Sequence, residues 1–202
     1  MLITFEGIDG SGKSTQIERL RDKLIREKLN VSVFREPGGT NLSEKIRELL
    51  LDQDNEIDPI TEALLFSSAR SQLISEVVKP KLEKDEIIIL DRFYDSTIAY
   101  QGYGRKSMPV SELHELNKIA SHGLVPDITF YLKIDLDQSE KRRTHFIKDR
   151  MEQSGIEFYQ RVIRGFDELA NQASRFRTID ALASIEEIEK EVWDHIGPMI
   201  KS

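Results

Sequence analysis

Leu2-Ile3-Thr4-Phe5-Glu6-Gly7-Ile8-Asp9-Gly10-Ser11-Gly12-Lys13-Ser14-Thr15 opens the chain with an apolar run, a glycine-rich turn and a helical pattern that continues to about Glu27. Residues 7–14 satisfy G-x-x-x-x-G-K-[ST] at every fixed position. Chance alone would give such a match in about one chain of this length in a hundred, and its place between a strand and a helix makes chance rarer still. The glycines let successive backbone N–H groups turn inward around phosphate oxygens, while the following helix aims its positive end at them. Lys13 would reach the β- and γ-phosphates and Ser14 would ligate Mg2+. The whole stretch Gly7, Ile8, Asp9, Gly10, Ser11, Gly12, Lys13, Ser14 and Thr15 is expected to hold a nucleoside triphosphate.

Outward from this loop, short apolar strands alternate with amphipathic helices. Residues 31–35 read as a second strand, followed by a helix from about 43 to 51. Asp58 then Pro59 gives an N-cap with proline at the first helical position, opening a helix that runs toward Pro80. The run 87–91 (Ile-Ile-Ile-Leu-Asp) has no alternation, as in a strand covered on both faces. A helix is expected from Tyr94 or Asp95, another from Ser111 as N-cap, and a fourth strand over 127–132. A helix ending near Gln172 precedes a short strand over 176–180, and Ser184 with Glu187 forms a capping box for the last helix. This alternation implies right-handed crossovers and an α/β fold, a parallel sheet of about five strands flanked by helices on both faces. Ligands in such sheets bind beyond the carboxyl ends of the strands.

At 202 residues the chain has the length of one domain, and it contains no cysteine. Thiolate zinc sites, Fe–S clusters and thiol nucleophiles are thereby excluded. Lys plus Arg number 29 against 36 Asp plus Glu, a net charge of −7, which argues against a sequence-blind nucleic-acid coat. No apolar run approaches the roughly 20 residues of a membrane span, and the N-terminus lacks a secretory signal pattern. A cytoplasmic protein, with neither nucleic acid nor membrane as partner, is expected.

Asp91 ends the apolar 87–90 run, where a second acidic group positions the hydration shell of Mg2+; capping the next helix is its other reading. A GTPase would need Asn-Lys-x-Asp, but the only Asn-Lys, at 117–118, lacks the aspartate and falls in a helix. Lys141, Arg142, Arg143, Lys148 and Arg150 put five cations into ten residues of an acidic chain. Such a run can be a solvated helix face, an RNA-binding patch, or a lid bringing cations onto a transferring phosphoryl group.

Phe5-Glu6-Gly7-Ile8-Asp9-Gly10-Ser11-Gly12-Lys13-Ser14-Thr15-Gln16 resembles the N-terminus of thymidylate kinases. Arg35-Glu36-Pro37-Gly38-Gly39-Thr40 is similar to that family's second-strand loop, and Ala63 to Arg70 to its substrate helix. Asp91-Arg92-Phe93 through Ala99-Tyr100-Gln101-Gly102 is similar to its third-strand motif, so the likeness covers nearly the whole chain. It implies the nucleoside monophosphate kinase fold over 1–202, with ATP and Mg2+ phosphorylating dTMP to dTDP on the way to dTTP, and a homodimer. It also implies roles. Phe66 and Arg70, four apart on one helical face, would stack on the base and donate to its carbonyl edge. Thr97 and Gln101 would read the Watson–Crick edge, and Tyr100 would pack under the sugar where a ribose 2′-OH would sit. By spacing alone these five could equally be ordinary helix packing. Arg92 would hold the acceptor phosphate, Asp9 would face the sugar 3′-OH and Arg92, and Glu36 with Pro37 would lie near sugar and phosphate.

Gly10 stands where one type of the family has an arginine, so the chain resembles the bacterial-like type whose arginines lie in the lid, here about 139–152. Lys13, Asp9, Arg92, Arg142, Arg143 and Arg150 are the expected catalytic groups, and Ser14 and Asp91 the metal-binding ones. Asp149-Arg150-Met151-Glu152 fits the family's pattern, whereas 144–148 is short and lacks its Gly-rich stretch. Two rival readings remain: another nucleotide or nucleoside kinase, and an ATP-switched binding protein, such as a partition ATPase, using the basic segment on nucleic acid.

Overall fold

A computed structural model of the chain describes residues 1–142, 150, 151 and 154–200. Its sheet has five strands, β1 (Leu2–Glu6), β2 (Val31–Arg35), β3 (Ile87–Asp91), β4 (Ile128–Lys133) and β5 (Phe176–Asp180), in the order β2-β3-β1-β4-β5. Every neighbouring pair is parallel. Helices α1 (Lys13–Arg26), α2 (Asn41–Leu51) and α3 (Pro59–Leu73) follow the first two strands. The rest are α4 (Lys79–Leu82), α5 (Tyr94–Thr97), α6 (Val110–Ala120), α7 (Leu136–Arg142), α8 (Ile156–Gln172) and α9 (Ile185–Met199).

The unbroken apolar character of β3 reflects a strand covered on both faces. Ile88 and Leu90 pack with Leu73, Ile74, Val78 and Phe93, while Ile87 and Ile89 join the larger cluster on Leu20, Leu24 and Phe130. Each such side chain contributes about 1.5–3 kcal/mol when withdrawn from water. The central pairing sets the site. Phe5 of β1 lies opposite Asp91 of β3, the Arg92 N–H donates to the Phe5 carbonyl at 2.9 Å, and the Glu36 N–H donates to the Asp91 carbonyl at 3.0 Å. The residues leaving β1, β2 and β3 are thereby held side by side at one edge.

Several element boundaries differ from expectation. The helix from Asp58 does not stop before Pro80. It widens into a π turn over Ile74–Val78 and continues as α4, the wider turn accommodating a residue with no N–H to donate. The cap of α6 is Pro109, not Ser111: the Pro109 carbonyl accepts from the N–H groups of Glu112 and Leu113, and Ser111 lies inside the first turn. The segment after β3 passes from α5 into a second π turn, Ile98–Gly104, packed tightly on α8. A Cβ at Gly104 would stand 2.5 Å from Phe158 Cε2, so only glycine permits that approach. The strand boundaries lie within a residue of expectation, and the Ser184–Glu187 capping box is present.

Candidate active site

The loop between β1 and α1 bends through Gly7, Gly10 and Gly12, with φ of 135°, 79° and 93°. At Gly7 a Cβ would also sit 2.6 Å from the Leu132 carbonyl oxygen. The loop borders a cavity of about 770 Å3 lined by residues 9–16, with Asp91 and Arg92 on one side and Arg142, Ala181 and Ile185 on the other. Gly7 and Ile8 lie beneath it, their carbonyls accepting from Lys13 Nζ at 3.1 and 3.2 Å. Burial, and then the nearby Arg92 charge, push the Lys13 ammonium's pKa down. This is a buried ammonium held by two carbonyl dipoles, and an anion in the cavity would stabilise its charged form. Ser14 Oγ stands 3.5 Å from Asp91 Oδ2. Asp91 Oδ1 and Ser11 Oγ are buried without a hydrogen-bond partner, an arrangement that favours a ligand with its own donors and acceptors. From α7, Arg142 leans over the loop, donating to the Gly10 carbonyl at 3.3 Å and the Ala181 carbonyl at 2.8 Å.

Arg92 adopts φ +69°, a left-handed conformation uncommon outside glycine, and this turns its guanidinium toward the loop. It donates to Asp9 Oδ1 at 2.6 Å, the Gly7 carbonyl at 2.9 Å and Ser96 Oγ at 3.3 Å. Beneath it the fully buried Glu6 accepts from the Phe93 N–H at 2.8 Å and Ser96 Oγ at 2.6 Å. Burial first, and then the Asp95 charge, push the Glu6 carboxyl up to about 8.

On the far side of Arg92 lies a second cavity of about 110 Å3, lined by Pro37, Phe66, Thr97, Tyr100, Gln101 and Met151 among others. Asp9, Glu36, Arg47 and Arg92 border both cavities. Glu36 Oε2 accepts from Arg70 Nε at 2.7 Å, and burial lifts this carboxyl to about 7 against the pull of Arg70. Glu36 Oε1 and the Tyr100 hydroxyl are buried and unpartnered. A large space along the glycine-rich loop and a small one bordered by Pro37, Phe66, Tyr100 and Met151 thus share a wall made of two guanidinium groups and two carboxylates.

A sequence model of the thymidylate kinase family matches residues 5–192. The chain belongs to the thymidylate kinase family. It is 48% identical over 207 residues to a thymidylate kinase of Prosthecochloris aestuarii, covering 97% of this chain and 92% of that one. It is 47% identical over 210 residues to one of Chlorobaculum tepidum, covering 98% of each. Among solved structures, the thymidylate kinase from Ehrlichia chaffeensis superposes with a TM-score of 0.79 at 36% identity, covering 98% of both chains. The parallel sheet and its loop are the nucleoside monophosphate kinase fold of that family.

Most of the residues singled out from the sequence meet at these two cavities; Gly7 and Ile8 lie beneath the larger one, and Arg70 and Arg150 border neither. Arg70 lines neither: it lies fully buried, its Nη1 donating to Asn117 Oδ1 at 3.1 Å. Arg150, expected on the transferring phosphoryl group, also lines neither cavity. Its backbone N–H and Nε donate to the Leu51 and Leu50 carbonyls, and Nη2 donates to Glu62 Oε2 at 2.7 Å. The carbonyl end of α2 and a buried carboxylate hold it on the side of the smaller cavity. Arg143, Lys148, Asp149 and Glu152 lie outside the described residues. Arg47, Ser96, Asn117, Met151 and Glu62 were not expected at the site. Of these, Met151 stood in the Asp149–Glu152 stretch already singled out, and Ser96 follows Arg92 by four residues. The 181–185 segment was foreshadowed by the rule that ligands gather at strand carboxyl ends.

Proposed function

We propose that this chain transfers the γ-phosphoryl group of ATP to the phosphate of dTMP, releasing dTDP and ADP. The observation that carries this reading is the wall shared by the two cavities, because a donor triphosphate and an acceptor phosphate must meet end to end. The triphosphate lies along residues 7–15, with Lys13 leaving its loop carbonyls for the phosphate oxygens. Phe66 stacks on the thymine, Arg70 Nη2 donates to its carbonyl edge, Thr97 and Gln101 read the remaining edge, and Tyr100 lies under the deoxyribose. Arg92 grips the acceptor phosphate while Asp9 orients Arg92 and meets the 3′-OH; Glu36 and Pro37 close that side. The acceptor is already an anionic nucleophile, so no general base is required, and the chain's work is alignment and charge neutralisation.

Ser14 and Asp91 would hold Mg2+. Their proximity and the unpartnered Asp91 Oδ1 fit an ion that keeps water and phosphate ligands, and among the described residues no group of three or more His, Asp or Glu forms a protein-only cage. When bound, the ion neutralises charge between the β- and γ-phosphates. Arg142 or Arg143 supplies a lid cation, as Gly10 suits the lid-arginine type. Residues 1–202 work as one kinase domain with 139–152 as the lid. Half-exposed Ile60 and Leu64 on α3 support a homodimer. Among the described residues no helix is long and apolar enough to cross a membrane, and the cytoplasm is the proposed compartment. Following ADP release from ATP and Mg2+ with dTMP, dUMP, dCMP or dGMP tests the reading; preference for any acceptor but dTMP would overturn the base contacts.

A further inference from the structure

Glu62 is 1% exposed on α3, touches neither cavity, and collects three donors. Gln101 Nε2 at 2.9 Å and Arg105 Nε at 3.2 Å reach its Oε1, and Arg150 Nη2 at 2.7 Å reaches its Oε2. Two guanidinium groups arriving from different segments, on different oxygens, prevent the carboxylate from swinging. Gln101 is 2% exposed and lines the base cavity.

A glutamine amide presents a donor from one end and an acceptor from the other, and its neighbours decide which way round it sits. A carboxylate engaged by three donors can only accept, so the NH2 end of Gln101 must face Glu62. Among the described residues no hydrogen bond falls to Gln101 Oε1, which leaves the carbonyl end for the cavity. We propose that Glu62 is a specificity-determining positioning residue: it locks the Gln101 amide with its carbonyl toward the base, so that the site demands a ring N–H at that edge. This rests on dTMP phosphorylation as proposed above. Thymine and uracil carry N3–H and satisfy the carbonyl. Cytosine presents a bare N3 lone pair, and two acceptors facing each other in a dry pocket leave both unsatisfied. Glu62 therefore selects against cytosine without distinguishing thymine from uracil, whose methyl group must be read by packing.

The test measures kcat/KM for dTMP, dUMP and dCMP in the wild type, in Glu62→Gln, in Gln101→Ala and in the double variant. The amide introduced by Glu62→Gln can donate as well as accept, which frees Gln101 to flip. The dTMP-over-dCMP preference should then shrink about tenfold or more, with dTMP-over-dUMP unchanged. In the Gln101→Ala background the same change should leave the dTMP-over-dCMP ratio where it was, because the amide it orients is gone. A ratio unmoved by Glu62→Gln, or moved equally in both backgrounds, overturns the proposal. Absence of dTMP turnover in the wild type overturns the functional reading instead. A wild-type measurement guards against misfolding of the variant: dTMP methylated at N3 should lose at least about tenfold in kcat/KM, and undiminished turnover would refute the acceptor face.

Discussion

The two cavities that meet at Arg92 are built by different means. The larger takes much of its wall from one contiguous segment, residues 9–16, and its chemistry is that of backbone N–H groups, a helix end and a lysine. The smaller is assembled from side chains on α2, α3, α5 and the second π turn, with Pro37 and Met151 closing it. On the proposed reading the larger holds phosphates, which are alike in every nucleotide, so a generic positive cradle suffices for them. A base is known only by its pattern of donors and acceptors, and recognising it requires directional groups converging from several elements.

If that division holds, damage to the first cavity should lower the rate, whereas damage to the second should change affinity and choice. Lys13→Ala should lower kcat about 10²–10³-fold while leaving the calorimetric affinity for dTMP nearly unchanged. A matching loss of dTMP affinity would break the division. Arg92, on the shared wall, should break both properties at once. Arg92→Lys keeps the charge but loses the planar fork that spans Asp9, Gly7 and Ser96, and kcat/KM for dTMP should fall about 10²-fold through both parameters. An effect confined to KM would assign Arg92 to the base side alone.

Arg150 offers a finer cut. Because it is fastened to Glu62 and to the end of α2, Arg150→Ala should raise KM for dTMP about tenfold, the loss of one charge-assisted contact. Steady-state kinetics in which kcat falls far more than KM rises would return Arg150 to the transferring phosphoryl group.

The smallest effect concerns stability. Burial lifts the Glu36 carboxyl from its ordinary 4.5 to about 7, so between those values the folded chain keeps a proton that the unfolded chain releases. The resulting stabilisation is fully present below about pH 4.5 and is lost as pH rises through about 7. Glu6, pushed up to about 8, adds to the same downward slope. Urea unfolding across this range should show stability falling with pH, and Glu36→Gln should flatten the slope, although it also weakens the buried contact to Arg70. An unchanged slope in the variant would mean that Glu36 is ionised throughout.

Reading the sequence worked best where the chemistry is local. Gly7 to Ser14 form the expected tight turn because the glycines at 7, 10 and 12 adopt the positive φ it requires. The apolar 87–90 run announced a central strand by its lack of alternation, and Asp58-Pro59 and Ser184–Glu187 announced helix starts through their own side chains. Spacing was silent about partners distant in the chain. Arg70 and Phe66 share a helical face, yet Arg70 is drawn away from the cavity surface by Glu36 and Asn117, 34 and 47 residues off. Arg150 stood in a cationic run that suggested phosphate, but Glu62, 88 residues earlier, claims it.

The glycine-rich turn and the alternation of apolar runs with helices were enough to specify the fold class, because hydrophobic periodicity and backbone conformation act over a few residues, while the order of the strands in the sheet came from the structure. Which side chains line the smaller cavity, which way an amide turns and which arginine meets which carboxylate were decided only when the sheet brought β1, β2 and β3 together. Those are properties of buried charges and hydrogen bonds, whose partners lie far apart along the chain and whose cost when unpaired depends on the whole surrounding fold.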